Sequence, residues 1–511
     1  MQCDKSKVVF KNYNFNQNLL LPPSLEELIA PNHPVRVVNQ VVENLNLDPV
    51  LDKYDGGGCP AYHPRMMLKV LVYGYMTNRY SSRKIEEALQ QNIHFMWLSG
   101  MSYPDHNTIN RFRSDRLKGI LREVFSQVVH LLIDHGHITL KEAYLDGTKI
   151  EANANRYTFV WGKAIKYNRE RIQRQIKELW SYAEQVAKEE MGHNEPESFE
   201  KINAEKVSRT IEKIDQALAG KEIDKKVKQK LNYAKKRWPE SLDQYEAYRQ
   251  QLGQRNSLSK TDPDATFMRM KEDHMLNGQL KPGYNWQIST QNQYILDYTL
   301  HQNASDTTTL PVHMESLKKT LGQLPEVLVA DAGYGSEENY EYLEDNHVDA
   351  YVKFNYFHKE QTKKWQNNLN KVENLYYNEE QDCFYCPMGQ KMTLLRVTKE
   401  ITKNGYQQTY KHYQAQNCKG CPMHGPCHRQ KSNRIIGVNP RLMRYKQMVR
   451  EKLNSDMGLQ YRSQRPADVE TVFGDIKYNR HFKRFLLRGL EKTEIEAGLI
   501  SLAHNLRKMA N

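Results

Sequence analysis

The sequence contains no apolar run that approaches the roughly 18 residues needed to cross a bilayer, and its mean hydropathy is −0.81. The opening segment Met1–Asn12 lacks the apolar core of a signal peptide. Tandem repeats and low-complexity tracts are missing, and only 7 of the 511 residues are cysteine. These absences exclude a membrane-spanning protein, a fibre and a small disulfide scaffold. They predict a cytoplasmic protein of about three structural units.

Acidic residues are too few to balance the basic ones. Lys and Arg total 74 against 61 Asp and Glu, so the formal net charge is +13. The excess is concentrated in residues 429–511, where 18 basic and 8 acidic residues give a net charge of +10. Because a basic surface attracts polyanions, the C-terminal part is predicted to face a nucleic acid. An anionic membrane is the weaker alternative.

Hydrophobic periodicity divides the first half of the chain into three kinds of segment. Up to residue 137 the apolar residues recur at helical spacing, which predicts a helical domain. Over residues 138–154 they alternate with polar residues, as is typical of a strand. Residues 161–250 carry 20 basic and 16 acidic residues and are expected to form a helical insertion, built as a solvated hairpin.

The second half of the chain alternates between strand and helix patterns. The patterns predict strands at residues 284–290, 294–300, 327–331 and 351–354. They predict helices at residues 308–321, 466–478 and 493–509. The chain is therefore expected to have an α/β fold.

Three acidic residues stand at positions that suggest chemistry. Asp146 lies inside a predicted strand, Asp331 at the end of another, and Glu470 inside a predicted helix. The alternative is that Asp146-Gly147 is a turn and that Asp331 merely ends its strand. However, alternation continues on both sides of Asp146, and an unpaired carboxylate inside a strand is costly unless a cation meets it. We therefore expect the three acids to converge on divalent cations that promote phosphoryl displacement.

The predicted helix around Glu470 has two distinct faces. Its start is marked by Pro466, and its apolar stripe consists of Val469, Val472, Phe473 and Ile476. Glu470, Gly474 and Lys477 form a polar stripe beside the apolar one. This pattern predicts a helix that packs on the core and presents the Glu470 carboxylate to a site.

The cysteines of the second half include two C-x2-C pairs, Cys383/Cys386 and Cys418/Cys421, with 31 residues between them. Pairs of this type fit tetrahedral zinc ligation, so a structural Zn²⁺ is predicted. Reduced thiols without a metal are the alternative. Three nearby residues are candidate replacement ligands: Cys427, His424 and His428.

Two groups of basic residues are candidate DNA contacts. Arg111 and Arg113 lie beside an apolar helix face, which suits either a recognition helix or a solvated surface. The second group consists of Arg480, Lys483, Arg484 and Arg488. Phe482 and Phe485 are interleaved with it, and their rings are expected to stack on unpaired bases. A basic amphipathic helix on a membrane is the competing interpretation of this stretch.

Several stretches of the sequence resemble one known family. They are HPRMMLKVLVYGYM, PDHNTINRFR, YLDGTKIEANA, SLSKTDPDATFM, KPGYNWQIST, VLVADAGYGSEENY and RPADVETVFGDIKYNRHFKRFLLRGL. Taken in this order they resemble bacterial insertion-sequence transposases with an RNase H-like core and a DDE triad. The late cysteine cluster is similar to that of the insertion sequence 1182 family. The resemblance covers almost the whole chain.

The resemblance implies an α/β fold with an RNase H-like mixed-sheet catalytic core. It implies four parts: a helical N-terminal DNA-binding domain at 1–137, the first part of the core at 138–355 with the helical insertion 161–250, a cysteine-containing insertion at 356–428, and the C-terminal helices of the core at 429–511.

The resemblance also implies the roles of individual residues. It places the DDE triad on Asp146, Asp331 and Glu470, which would hold two Mg²⁺ or Mn²⁺ ions. Lys477 matches the basic residue that the family has seven positions after the Glu. The family has an Arg four positions before the Glu, where this chain has Pro466. The candidates for that role and for an aromatic hydroxyl are Arg465, Arg462 and Tyr461.

The implied function is metal-dependent DNA strand cleavage and strand transfer. The implied partners are the terminal inverted repeats of an element and a target DNA, bound by a dimer in the bacterial cytoplasm at the nucleoid, with no membrane partner. Two alternatives remain open: an RNase H-like nuclease without strand transfer, and a catalytically silent DNA-binding protein derived from a transposase.

Overall fold

The computed structural model describes residues 24–54, 60–191, 199–200, 202–270, 278–402 and 404–510. The opening segment Met1–Asn12 lies outside the described residues. No helix within these ranges is long and apolar enough to cross a membrane. Helices alternate with strands that form mixed sheets, so the predicted α/β class is confirmed.

The described residues form α-helices, strands and a few short 3-10 and π-helical segments. The α-helices are α1 Pro34–Asn44, α2 Asp48–Leu51, α3 Pro64–Met76, α4 Ser82–Gln91, α5 Ile93–Ser99, α6 His106–Arg111, α7 Leu121–Asp134, α8 Gly162–Val186, α9 Lys188–Met191, α10 Ala204–Ala217, α11 Lys225–Leu252, α12 Leu310–Leu321, α13 Glu337–Asp345, α14 Phe357–Glu360, α15 Lys363–Gln366, α16 Pro440–Asn454, α17 Asp456–Arg465, α18 Thr471–Gly474 and α19 Leu490–Met509. The strands are β1 Glu142–Glu151, β2 Phe159–Trp161, β3 Ser257–Ser259, β4 Thr266–Arg269, β5 Leu280–Gln291, β6 Tyr294–His301, β7 Val327–Ala330, β8 Asp349–Val352, β9 Tyr376–Asn378, β10 Cys383–Tyr385, β11 Lys391–Ile401, β12 Gln407–Ala415 and β13 Ile435–Val438. The 3-10 segments are Asp306–Thr308, Ala332–Tyr334 and Val372–Asn374, and the π-helical segments are Phe112–Arg116, Pro466–Glu470 and Asp475–Asn479.

The central sheet has six strands and contains every strand predicted from the alternating pattern. Its order is β6–β5–β1–β7–β8, and β4 pairs with the first residues of β5. β5 runs antiparallel to β1, β4 and β6, whereas β1, β7 and β8 are parallel. Because β1 is flanked on both sides, its residues are almost all buried. A side chain such as Asp146 therefore projects from the middle of the sheet.

The N-terminal helices share the core of the central sheet. Buried residues from α1 to α7 belong to the same hydrophobic cluster as those of the sheet and of α19. Where α3 meets α19, the hydroxyl of Tyr75 donates to Oε1 of the fully buried Glu496 at 3.2 Å. The segment up to residue 137 is helical where described, as predicted, but its hydrophobic core continues into the central sheet and α19.

The charged segment forms a small helical bundle, so the prediction of a solvated hairpin is wrong. α8, α10 and α11 pack around a hydrophobic core of their own, in which Trp180 and Trp238 are buried. The spacing of Ile172, Ile176 and Leu179 puts these residues on one face of α8. The many charges lie on the opposite faces and concealed this apolar stripe.

A second sheet follows β8, in the order β9–β10–β11–β12–β13, with antiparallel pairing throughout. Its small core includes Phe384, Met392 and Tyr413. The sheet continues to Val438. The cysteine-containing unit therefore extends beyond residue 428, the boundary predicted from the sequence.

The helix predicted at residues 466–478 forms as two π-helical segments on either side of α18. Its predicted apolar stripe is buried in the main core and consists of Val469, Val472, Phe473 and Ile476. The first π-helical segment packs against β1 and β5. This packing brings Glu470 to the sheet that carries Asp146.

Candidate active site

Strand register brings Asp146 and Asp331 together. β1 and β7 are parallel, and Leu145 lies opposite Ala330. Asp146 and Asp331 are the next residues along the two chains, and neighbouring strands in a sheet are about 4.8 Å apart. Asp146 is buried, with 6% of its surface exposed. The two acids, which are far apart in the sequence, are thus neighbours in the fold.

Asp146-Gly147 is a strand segment and not a turn. Gly147 lies within β1, opposite Gln287 of β5. A Cβ atom on Gly147 would lie only 2.2 Å from Nε2 of Gln287, so a larger residue here would displace the Gln287 side chain. The turn alternative considered for Asp146-Gly147 is therefore excluded.

A fourth carboxylate, Asp306, lies near Asp331 and accepts hydrogen bonds from two side chains of β5. Nε2 of Gln287 and Nδ2 of Asn285 donate to Oδ1 of Asp306 at 2.9 and 2.6 Å. A Cβ atom on Gly333 would lie 2.9 Å from Oδ1 of Asp331 and 3.6 Å from Oδ2 of Asp306, so these two carboxylates border the same space. Asp306 was not among the residues predicted from the sequence, where its only signal was its place in a polar loop after a predicted strand.

Arg465 joins the third acid to the first. Its Nη1 is 2.8 Å from Oε1 of Glu470, and its Nη2 is 3.2 Å from Oδ1 of Asp146. The Arg465 side chain is 7% exposed, so both ion pairs are largely shielded from water on the arginine side. Glu470 itself remains 51% exposed. One guanidinium therefore lies between two of the three predicted acids.

The π-helical geometry explains how Arg465 reaches Glu470 from five positions away. On an α-helix, residues that share a face are three or four positions apart. Pro466–Glu470 is π-helical, and its i→i+5 bonding adds a residue to the turn. Arg465 therefore lies close to where the residue at position 466 would lie in an unbroken α-helix.

Burial and nearby acids keep the hydroxyl of Tyr334 protonated. Burial, followed by the charges of Asp306, Asp146 and Asp331, raises the pKa of Tyr334 well above its usual value. The hydroxyl donates to Oε1 of Gln287. Tyr334 is thus a permanent donor beneath the carboxylates, and it fixes the amide orientation that lets Gln287 donate to Asp306.

Lys353 is a second cation beside the cluster. Burial lowers the pKa of Lys353, and the positive charges of Arg465 and Arg462 lower it further. Asp331 and Glu470 act in the opposite direction, which places both carboxylates within electrostatic reach of the ammonium. Arg465 therefore pairs with Asp146 and Glu470, and Lys353 lies within electrostatic reach of Asp331 and Glu470.

The donor chemistry of the acids fits a hard divalent cation. Asp146, Asp331 and Glu470 offer carboxylate oxygens, the ligands that Mg²⁺ and Mn²⁺ prefer. Within the described ranges, however, no three His, Cys, Asp or Glu side chains stand together as a group that could hold an ion. Arg465 explains this at the acids, because its guanidinium pairs with both Asp146 and Glu470. An ion bound between these acids would require the guanidinium to turn away.

Comparison with known families gives two matches. Residues 385–510 match the model described as the transposase DDE domain, and this match includes Glu470. Residues 23–115 match the model described as a transposase domain of type DUF772. Both matches support a DDE transposase. A search of curated proteins found no match. Asp146 and Asp331 lie between the two matched segments.

Transposase domains imply that DNA is a partner. One of the N-terminal residues predicted to contact DNA, Arg113, is not accessible to it. Arg113 is 3% exposed. Its Nη1 donates to the hydroxyl of Tyr75 at 3.0 Å and to the backbone oxygen of Tyr80 at 2.8 Å. The prediction that Arg113 contacts DNA is wrong, because a buried arginine with these partners links helices instead. Arg111, at the end of α6, is exposed as expected.

Three residues of the C-terminal basic stretch are also structural. Arg480 is 1% exposed, and its Nε donates to Oδ2 of Asp475 at 2.7 Å. Phe482 and Phe485 are 1% and 0% exposed and belong to the main core. The predicted phosphate contact by Arg480 and the predicted base stacking by the two rings are therefore wrong. The alternation of basic and aromatic residues, which suggested a binding surface, instead reflects the alternation of exposed and buried positions.

The other three basic residues of this stretch are exposed and anchored beside β1. They are Lys483, Arg484 and Arg488. The backbone of Arg484 forms a parallel bridge with Glu151 at the end of β1. Nε of Arg484 and Nε of Arg488 donate to the backbone oxygens of Ala152 and Asn153 at 3.2 and 2.8 Å. Because Glu151 is five residues from Asp146, these cations lie about 16 Å along the strand from the acids.

Two auxiliary candidates remain, Lys477 and Tyr461. Lys477 is 3% exposed, so no phosphate reaches it in this conformation. Tyr461 packs its ring against Tyr351 at 4.9 Å, and Glu142 is among the acids that raise its pKa. Glu142 is four residues before Asp146, about 13 Å along β1. Tyr351 is aligned through Val329 with Tyr144, so Tyr461 packs beside β8, the edge strand of the central sheet.

Proposed function

We propose that the protein is a transposase that cleaves DNA strands and transfers them to a target, with Asp146, Asp331 and Glu470 as its catalytic acids. One observation carries the proposal: the register of β1 and β7 aligns two of these acids, and Arg465 ties the third to the first. The mixed order of the central sheet supports an RNase H-like core. The two transposase matches support the reaction class.

In this proposal Asp146, Asp331 and Glu470 would hold two Mg²⁺ or Mn²⁺ ions, and these ions would supply Lewis-acid chemistry that generates a nucleophile at neutral pH and stabilises a departing oxygen. Asp146 is the rigid member of the site because it projects from a buried strand. Glu470, which is half exposed, is the adjustable member, and Arg465 positions it. Lys353 limits the negative charge that the three acids create before DNA arrives.

The partners in this proposal are the terminal inverted repeats of an insertion sequence and a target duplex, held by a dimer of the protein. The exposed cations beside the end of β1 would guide the duplex toward the acids. We assign the element to the insertion sequence 1182 type, and the reaction to the nucleoid in the bacterial cytoplasm, on the strength of the sequence resemblance.

Replacement of one acid tests the proposal. The substrate is a plasmid that carries the coding sequence with its natural flanking DNA, incubated with Mg²⁺. We expect Asp331→Asn to abolish strand cleavage, because it removes a charged ligand from the site. Binding of the same DNA without Mg²⁺ should be nearly unchanged, since the affinity for phosphates is distributed over many Lys and Arg residues.

Asp345→Asn is the matched control, because Asp345 is an exposed acid at the end of α13 and not part of the cluster. It should cleave as the natural protein does. Cleavage retained by Asp331→Asn would contradict the proposed site. If the natural protein cleaves DNA but the cleaved ends never join a target DNA, the nuclease alternative is favoured. If the natural protein binds DNA without cleaving it, the alternative of a catalytically silent DNA-binding protein is favoured.

A further inference from the structure

The loop between β12 and β13 has little hydrophobic core of its own. Its residues 416–434 contribute to the core of the second sheet only through the partly buried Cys418. The loop nevertheless folds back against β10 and encloses a small cavity. Four cysteines line this cavity, namely Cys386, Cys418, Cys421 and Cys427. A loop that buries so few apolar residues needs another source of stability, such as a metal ion.

Cys383 does not take part, although the spacing of the sequence pairs it with Cys386. It lies on β10, where successive side chains point to opposite faces of the sheet. Cys383 is therefore on the face opposite Phe384, and its sulfur is 3.9 Å from Oε1 of Gln381. Cys386 follows the strand, at the start of a turn, on the side of the cavity. The predicted zinc ligation by Cys383 is not supported, because Cys383 is not among the residues that line the cavity with Cys386.

Arg434 indicates that the cavity holds negative charge. It is 7% exposed. Its Nη1 donates to the sulfur of Cys427 at 3.0 Å, and its backbone N–H donates to the sulfur of Cys418 at 3.3 Å. Its remaining hydrogen bond goes to the backbone oxygen of Asn370. Among the described residues no carboxylate pairs with this guanidinium, and a buried charge needs a counter-charge, which thiolates would supply.

His428 supplies a second, independent observation about the chemistry of this cavity. The side chain lines the same cavity. Both ring nitrogens are buried, and neither has a hydrogen-bond partner in the described part of the chain. Buried polar atoms are nearly always satisfied. A thiolate at a bound metal would give an N–H of this ring an acceptor.

We propose that Cys386, Cys418, Cys421 and Cys427 bind one structural Zn²⁺ ion, with Arg434 donating hydrogen bonds to two of the sulfurs. The sulfurs do not yet form a closed ligand group as they stand, so ligation requires the cysteine side chains to rotate into the cavity. Each thiol releases one proton to solvent as it binds the ion. The ion fastens the loop to β10, and Arg434 orients and stabilises the thiolates.

The test starts with the full-length protein, purified under reducing conditions without a chelator. We expect about one zinc per chain, released when the thiols are modified by a mercurial reagent. Substitution by Co²⁺ should give the visible spectrum of a tetrahedral ion with intense sulfur-to-metal charge transfer. A reduced, folded protein that contains no zinc and gives no such spectrum would overturn the proposal.

Single variants identify the ligands. Cys386→Ser and Cys427→Ser should each lose most of the bound zinc, whereas the matched control Cys383→Ser should keep it. His428→Ala should also keep the metal, because the histidine is not a ligand. The assignment would be overturned if Cys383→Ser lost the zinc. It would also be overturned if His428→Ala lost the zinc while Cys427→Ser retained it. The Co²⁺ spectrum of the unaltered protein decides the thiolate number if a variant fails to fold.

Discussion

Removal of the three exposed cations beside β1 should weaken the salt dependence of DNA binding by a calculable amount. The perturbation is the triple change Lys483→Ala, Arg484→Ala and Arg488→Ala. Each phosphate that a protein neutralises contributes about 0.9 to the slope of log affinity against log salt. If all three residues contact duplex phosphates, the slope should fall in magnitude by about 2.7. Arg480 is left in place because it is buried and paired with Asp475.

The structure also sets the scale of the affinity change and its position on the DNA. Between 50 and 200 mM salt, a slope difference of about 2.7 corresponds to about 40-fold in affinity. The cations lie about 16 Å along β1 from Asp146, which corresponds to about five nucleotides of one strand. Protection of phosphates should therefore begin about five nucleotides from the cleaved bond.

The assay is a fluorescence anisotropy titration of a labelled duplex at several salt concentrations, without divalent cations so that no cleavage occurs. The matched control is Lys225→Ala, Lys226→Ala and Lys228→Ala, which removes the same charge from exposed positions on α11. The control should retain the natural slope. An unchanged slope in the first variant would refute the reasoning, and the DNA path would then be redrawn across the N-terminal helices and the helical bundle.

Two further predictions concern stability. Arg465→Ala leaves the buried carboxylate of Asp146 without its guanidinium, so the midpoint of thermal unfolding in metal-free buffer should fall. Added Mg²⁺ should raise the unfolding midpoint of Arg465→Ala more than that of the natural protein, because the ion no longer competes with the guanidinium for the acids. Equal increases in the two proteins would contradict the inference that the ion and the guanidinium occupy the same position. Burial raises the pKa of Asp297 to about 6, although Arg122 opposes the shift. The fold therefore favours neutral Asp297, and its contribution of about 3 kcal/mol is present below pH ~4 and is lost as the pH rises through ~6. In urea unfolding, Asp297→Asn should gain stability relative to the natural protein over this pH range, and a constant difference would argue against the shift.

The local patterns of the sequence were sufficient for the elements of the core. Alternation identified β1, β5, β6, β7 and β8, because a strand buried on one or both faces leaves a two-residue period in the chain. The apolar stripe from Val469 to Ile476 was predicted and is buried. The same patterns placed Asp146 inside a strand and Asp331 at the end of one. These features depend on neighbours a few positions away, so the sequence records them directly.

The tertiary structure decided which basic side chains are buried and which partners they contact. Arg113 and Arg480 have the same composition signal as Arg111 and Lys483, yet the first two are buried. The distant Tyr75 and Tyr80 supply acceptors to Arg113. Arg480 pairs with Asp475, five positions away, and its backbone oxygen accepts a hydrogen bond from the distant Tyr80. No local spacing shows which of several similar cations will meet such a partner. The apolar core of the charged helical bundle was hidden for a related reason, since it forms only when three helices pack together.

The composition of the two candidate sites also depended on tertiary geometry. Asp306 lies near Asp331, where hydrogen bonds from Gln287 and Asn285 of β5 hold it. Arg465 reaches Glu470 only because a π-helical turn adds one residue to the usual spacing. The sequence by itself determined that this chain is a basic α/β protein with two aspartates at strand positions and a glutamate on an amphipathic helix. Which side chains surround them was decided by strand register and helix geometry, because these set distances between residues that are far apart in the chain.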